Sequence, residues 1–318
     1  MKKLTAFLLA AILILCPLHA LAGEKVNVAA LKGPTAMGMV KIMADDAGAN
    51  YNFNIHAAAD EITPKLIQGQ IDIAALPANL ASVLYNRTEG KLQVIAVNTL
   101  GVLYIAERGQ SVQNVADLRG KTIYSAGKGS TPEYALNYIL SANGLDPQKD
   151  VNIEYKSEHS ECLAAILNDV SAVAMLPQPF ITTAMGKAPD VRMALDLTAE
   201  WDKLQEENGS SMITGVVVAR SEFAKENPQA VNAFLEAYAA SVEYTNTDVS
   251  GAAKLVGEYG IVAAEVAEKA LPYCNICCIS GTAMAEKLSG YLAVLHAQNP
   301  ESVGGKLPDA QFYYKPEA

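Results

Sequence analysis

Ile71-Asp72-Ile73-Ala74-Ala75-Leu76-Pro77 and Ser171-Ala172-Val173-Ala174-Met175-Leu176-Pro177 share one pattern, a short apolar run that ends in Leu-Pro. A run this short, bounded by turn residues, reads as a strand buried on both faces. A second match stands at nearly the same offset: Lys32-Gly33-Pro34-Thr35 against Lys128-Gly129-Ser130-Thr131. Two matches at nearly one spacing point to two α/β units of similar build.

Working outward, strand-like and helix-like stretches alternate around both matches. In the first unit, residues 26–31, 52–57, 71–76 and 92–98 read as strands, with helices over 36–46, 61–68 and from Pro77 onward. In the second, residues 121–126, 151–155 and 171–176 read as strands, with helices ending near Ala142, over 159–167 and after Pro177-Gln178-Pro179-Phe180. This rhythm argues for parallel sheets with helices on both faces. The β-rich runs 103–106 and 212–218 flank the second unit and are expected to be the two strands that cross between the units. Beyond Ser221 the chain reads as helices over 228–242, 250–258, 263–270 and 283–296, with a short strand at 274–279. The tail with Tyr313 and Tyr314 is expected to pack back onto the first unit or the hinge. The expected organisation is a discontinuous first lobe, 23–106 and 212–318, with a second lobe at 107–211.

The chain has 318 residues, half of them hydrophobic, and a formal charge of −10. Length allows about two domains. The apolar fraction and the lack of short repeats exclude disorder, collagen and coiled coil. The acidic balance argues against a nucleic-acid partner, which needs a basic face.

Lys2 and Lys3 precede an apolar run over 4–15, and Ala20-Leu21-Ala22 offers small residues where a signal peptidase reads. The expectation is a signal peptide over 1–22, cut after Ala22, and an exported, periplasmic protein. The alternative is a cell-surface lipoprotein through Cys16. Leu15 before it is bulky where that motif takes a small residue.

Motifs for chemistry are sparse. No pair of histidines has helical ligand spacing, and Cys274-Asn275-Ile276-Cys277-Cys278 lacks the second pair of ligands that a structural zinc takes. No metal and no cofactor is expected. Gly120-Lys121-Thr122 has Val115 where a phosphate loop needs its first glycine, and Gly127-x-Gly129 has Pro132 at the third position. No G-x-S-x-G occurs. The acidic clusters at Asp60-Glu61 and at 158–161 read either as helix caps or as carboxylates for chemistry.

What remains is a set of strand-to-helix turns. Ligands of open α/β sheets bind beyond the carboxyl ends of strands, where helix N-termini present free N–H groups. The candidates are Gly33, Pro34 and Thr35 beside Lys32; Pro77, Ala78 and Asn79; Asn98; Gly129, Ser130 and Thr131; Glu158 beside His159; and Gln178, Pro179 and Phe180. Thr214 joins them on the second crossing strand. Each hydroxyl residue reads equally as a helix cap. None of the five arginines falls on these turns, so a bidentate clamp on an anion is not expected. Lys32 and Lys128 remain as point charges.

These residues resemble a family. The export signal, Lys32-Gly33-Pro34-Thr35 after the opening strand, Ala174-Met175-Leu176-Pro177-Gln178-Pro179-Phe180, and Leu307-Pro308-Asp309 with Phe312-Tyr313-Tyr314 are similar to solute-binding proteins of ABC importers. The type is the nitrate/sulfonate/taurine and thiamine-pyrimidine-precursor one. The resemblance implies the two-lobed type II periplasmic-binding fold, with each lobe a mostly parallel sheet flanked by helices and two crossing hinge strands. It implies a monomeric receptor that closes on a small organic molecule or oxyanion and delivers it to an ABC permease in the inner membrane. Ligand contacts are implied at 33–35, 77–79, 129–131 and 178–180. Leu76-Pro77-Ala78-Asn79 departs from the Gly-rich turn of many members. The alternatives are an enzyme on the same fold, of menaquinone- or thiamine-precursor type with a carboxylate at Asp60 or Glu158, and a ligand sensor for a membrane receptor.

Overall fold

The computed structural model describes residues 25–204 and 210–315. The expected signal peptide and Cys16 lie outside the described residues. The first stretch builds β1 (Val26–Leu31), α1 (Pro34–Met37), α2 (Val40–Asp46), β2 (Tyr51–His56), α3 (Ala59–Ile67), β3 (Ile73–Pro77), α4 (Ala78–Arg87) and β4 (Leu92–Leu100). The second builds β5 (Leu103–Arg108), β6 (Thr122–Ala126), α5 (Thr131–Ala142), β7 (Asn152–Lys156), α6 (His159–Asn168), β8 (Val173–Pro177), α7 (Phe180–Lys187), β9 (Val191–Asp196) and α8 (Leu197–Leu204). The third holds β10 (Ile213–Arg220), α9 (Ser221–Glu226), α10 (Pro228–Thr247), α11 (Val249–Glu258), α12 (Ala264–Ala270), β11 (Ile276–Ile279) and α13 (Gly281–Gln298).

Two sheets result, ordered β11-β4-β10-β3-β1-β2 and β7-β6-β8-β5-β9. Their plans share a core: β2-β1-β3 and β7-β6-β8 are parallel triplets, each extended first by an antiparallel strand, and beyond it the first sheet adds β4 and β11 and the second adds β9. The sequence matches at 71–77 and 171–177 are β3 and β8 with the residues before them. The extending strand is exchanged. β10, which follows the second sheet in sequence, pairs with β3 of the first, and β5, which follows β4, pairs with β8 of the second. The expected crossing strand at 103–106 is thus an interior strand of the second sheet, hydrogen-bonded on both edges to β8 and β9. Likewise 213–218 lies inside the first sheet, between β3 and β4. The chain passes between the sheets at Gly101-Val102 and again before Ile213.

The helix expected over 36–46 is broken in two at Gly38. Tyr238, Val242 and Ile276 press on that glycine, and a Cβ there would stand 2.8 Å from Ile276 Cγ2. Ser241 of α10 fills the break, donating to the Gly38 carbonyl (2.7 Å) and accepting from Ile42 N (3.2 Å). β9 and α8 were not expected, and Trp201 on α8 is fully buried. The tail lies along the first sheet, where Tyr314 N donates to Val94 O (2.9 Å) and Tyr85 donates to Asp309 (2.6 Å). Among the described residues no helix is long and apolar enough to cross a membrane.

One carboxylate anchors the start of the second sheet. Glu107 on β5 is 2% exposed and accepts from Ser111 N, Ser111 Oγ, Val112 N and the Arg192 guanidinium. Burial alone pushes its carboxyl up, but these hydrogen bonds outweigh burial and hold it below the ordinary value. A depressed folded-state value means that the stabilisation is present above the unfolded-state value and fades as pH falls through the folded one. Glu107→Gln is expected to cost about 1–2 kcal/mol at neutral pH and to flatten the loss of stability below pH 4.5, the ordinary value. Urea unfolding across pH 3–7 checks it, and an unchanged acid limb contradicts it.

Candidate functional site

Between the two sheets lies a cavity of about 320 Å³. It forms where β1 and β3 of one sheet and β8 of the other end, so the helices that follow start at its walls. α1 brings Gly33, Pro34 and Thr35, and α4 brings Pro77 and Asn79. α5 brings Ser130, Thr131 and Pro132; α6 brings His159; and α7 brings Gln178, Pro179 and Phe180. Leu31, Lys32 and Pro177 complete the turns, Val102 comes from the first crossing and Thr214 from β10. Gly33 has φ +125, a region open to glycine, and this turns the chain from β1 into α1.

Of the residues singled out from sequence, the structure brings Gly33, Pro34, Thr35, Pro77, Asn79, Ser130, Thr131, Gln178, Pro179, Phe180 and Thr214 to one cavity. Ala78, Asn98, Gly129 and Glu158 are not among its lining residues. Asn98 stands behind the wall, fully buried, and donates from Nδ2 to the Thr35 carbonyl (3.1 Å). Ala78 is buried in the first turn of α4. Gly129 N donates to Glu133 in the loop before α5 (2.5 Å). Glu158 points its chemistry at its own helix: it forms a capping box with Glu161, whose carboxylate accepts from Ser157 N and Glu158 N. Sequence reasoning did not single out Leu31, Val102, Pro132 and Pro177. The Leu-Pro ends of the two matched runs were the available signal for Pro177.

The polar groups divide into committed and free. Asn79 Oδ1 accepts from Thr131 Oγ1 (3.3 Å), and Asn79 Nδ2 donates to Ser302 O (3.3 Å). Tyr291 of α13 donates to Thr131 Oγ1 (3.1 Å). Asn79 and Thr131 therefore tie one side of the cavity to the other. Thr35 donates to Leu31 O (2.8 Å), and Ser130 donates to Gly127 O (2.6 Å). Three buried atoms on lining residues have no partner: Gln178 Nε2, His159 Nδ1 and Thr214 Oγ1. Buried polar atoms are nearly always paired, and these three are closed off from solvent on the protein side of the cavity wall. Burial pushes the His159 imidazole below its ordinary value, and its ring packs on Phe180 (5.5 Å between centroids).

Arginine takes no part in the cavity lining. Arg108 pairs with Asp190, Arg119 with Asp150, Arg192 with Glu107 and Arg220 with Asp72. Among the described residues there is no group of three or more His, Cys, Asp or Glu able to hold a metal. Cys162, Cys274, Cys277 and Cys278 are free thiols. Burial pushes Cys274 up to about 12, so it is an inert thiol beside α12.

The model of a family described as ABC transporter, phosphonate, periplasmic substrate-binding protein matches residues 37–268. An ABC transporter structure from Parabacteroides distasonis superposes with a TM-score of 0.78 at 24% identity, covering 93% of this chain and 100% of that one. The periplasmic aliphatic sulphonate binding protein of Escherichia coli gives a TM-score of 0.73 at 16% identity, covering 93% of each chain. The periplasmic nitrate-binding protein from Synechocystis PCC 6803 gives 0.57 at 14% identity, over 76% of this chain and 68% of that one. At these identities the structures share the fold with this chain. Among curated protein sequences, none matches it.

Proposed function

The chain belongs to the family of ABC-transporter phosphonate periplasmic substrate-binding proteins, and from that premise we propose that the cavity between its sheets captures one small molecule for a membrane permease. As a member it is the substrate-binding component of an ABC importer and works outside the cytoplasm. We take residues 1–22 as its export signal and Ala22 as the cut site.

The observation that carries the site assignment is the convergence of five helix starts, from α1, α4, α5, α6 and α7, on one cavity of about 320 Å³ between the sheets. The two sheets act as lobes joined at Gly101-Val102 and before Ile213. Closure about those crossings completes the ligand's surroundings, and the permease reads the closed state. The Asn79–Thr131–Tyr291 contacts span the two sides and bias the molecule toward closure.

The test is a thermal unfolding series against fractions of a small-molecule extract from the source cells. One fraction is expected to stabilise the protein, by about 2.7 kcal/mol at a hundredfold excess over its dissociation constant. Its active compound is expected to be recovered unchanged. A compound recovered chemically altered contradicts binding without turnover, and no stabilising fraction contradicts the receptor reading.

A further inference from the structure

We propose that Gln298 and Asn299, where α13 ends, are positioning residues that latch the two lobes shut from outside the cavity, through Tyr134 of α5. The inference builds on the two lobes of the receptor reading above and goes beyond it.

The latch is seated on the first lobe. The chain leaving α13 over 298–303 is tied to α4 by three hydrogen bonds. Asn79 Nδ2 donates to Ser302 O (3.3 Å), and Ser82 Oγ (2.8 Å) and Asn86 Nδ2 (2.9 Å) both donate to Val303 O. Asn299 Oδ1 accepts from Glu301 N (3.1 Å), which fixes the orientation of its amide. The segment therefore moves with α4 and the first sheet.

From that seat two side chains reach the second lobe. Asn299 Nδ2 donates to Tyr134 Oη (3.0 Å), and Gln298 Nε2 donates to the Tyr134 carbonyl (3.0 Å). Tyr134 is 7% exposed and stands one turn beyond Thr131 on the same face of α5. One residue of the second lobe is thus gripped at its backbone and at its side chain by two adjacent residues of the first. Gln298, Asn299 and Tyr134 are not among the lining residues of the cavity, so the grip does not pass through a ligand.

Distance from the crossings gives the grip its leverage. Farther back on α13, a Cβ on Gly290 would stand 2.7 Å from Ser210 Cβ, and Lys287 Nζ donates to Ser211 Oγ (3.1 Å). Both contacts sit at the second passage between the sheets. The helix from Gly290 to Gln298 is about 12 Å long. A lobe rotation of about 15° about the passages moves a contact at that distance by about 3 Å, the whole length of a hydrogen bond. Opening therefore breaks both bonds to Tyr134 while the contacts at the passage persist. A ligand enters and leaves only while the latch is undone, so the latch slows both steps.

The test is small-angle X-ray scattering of the full chain, freed of bound small molecules by dialysis from urea. The wild type is expected to scatter as the closed structure does. The Tyr134→Phe, Gln298→Ala double variant loses both bonds and keeps the buried ring. Its radius of gyration is expected to be about 1 Å larger, against about 19 Å for a compact chain of this length, with unchanged far-UV circular dichroism. Glu286→Ala, an exposed change nearer the start of α13, is expected to leave the radius at the wild-type value. A merely structural role lowers the melting temperature of the double variant and leaves its radius unchanged. An unchanged radius in the folded double variant, an equal expansion in Glu286→Ala, or a wild type already more open than the structure each overturns the latch. None of these touches the receptor reading, because no ligand enters the experiment and the extract series decides that reading separately.

Discussion

Replacing Trp201 with alanine is expected to cost about 3–5 kcal/mol of folding stability, the usual range for deleting a fully buried large aromatic. Trp201 is the one tryptophan of the chain and is 0% exposed. Its ring packs on Tyr138 of α5 at 4.7 Å and on Tyr291 of α13 at 5.5 Å between centroids, and Nε1 donates to Ser210 Oγ (3.4 Å). Those neighbours come from elements on both sides of the cavity, so the indole fills the joint between them. Nothing small enough to remain can refill a void of that size, because the surroundings are held by two helices and a strand crossing. Urea unfolding followed by circular dichroism checks the figure. A loss below 1 kcal/mol contradicts the placement of Trp201 in the joint. In the wild type, the same indole gives a single fluorescence signal two contacts from the cavity, through Tyr291 and Thr131.

Gly101→Val is expected to cost about 2–3 kcal/mol, the upper part of the usual range for overpacking. Gly101 lies in the first passage between the sheets. A Cβ there would stand 2.1 Å from Thr198 Oγ1 and 2.2 Å from Met212 Cε. Met212 belongs to the second passage, so the glycine is where the two crossings touch. Met212 can swing its methyl aside, but Thr198 is fixed at the start of α8, and valine adds branches that alanine does not. The strain falls on the joint, so ligand affinity is expected to drop along with stability. Thermal unfolding and a binding titration on the same variant check both, and wild-type values in both contradict a packed crossing at this glycine.

The parallel triplets were legible because strands buried on both faces are written as unbroken apolar runs, as in Ile73–Pro77 and Val173–Pro177. The exchange of β5 and β10 was not. Leu103–Arg108 has the same apolar character whether it bridges two units or lies inside one. The decision comes from hydrogen bonds to β8, some seventy residues away. The break at Gly38 depends on Ser241, which arrives about two hundred residues later. Local pattern holds no trace of either partner.

The cavity was legible as a set of turns, since helix starts follow strand ends in any such fold. Which side chains there are free was not. Asn79 and Thr131 look like ideal ligand contacts in sequence, yet they bond to each other across the cavity. Glu158 was readable as a cap from its spacing to Glu161, and the structure uses it so. Gln178 stands out only once its oxygen is seen to be occupied and its nitrogen bare.

The account stands most directly on native mass spectrometry of the protein incubated with the small-molecule extract, comparing wild type with the Gln178→Leu, Thr214→Val double variant. It predicts one adduct per chain on the wild type and its loss from a folded double variant. An adduct that persists unchanged on the variant, or none on either protein, contradicts the assignment of the cavity between the sheets as the binding site.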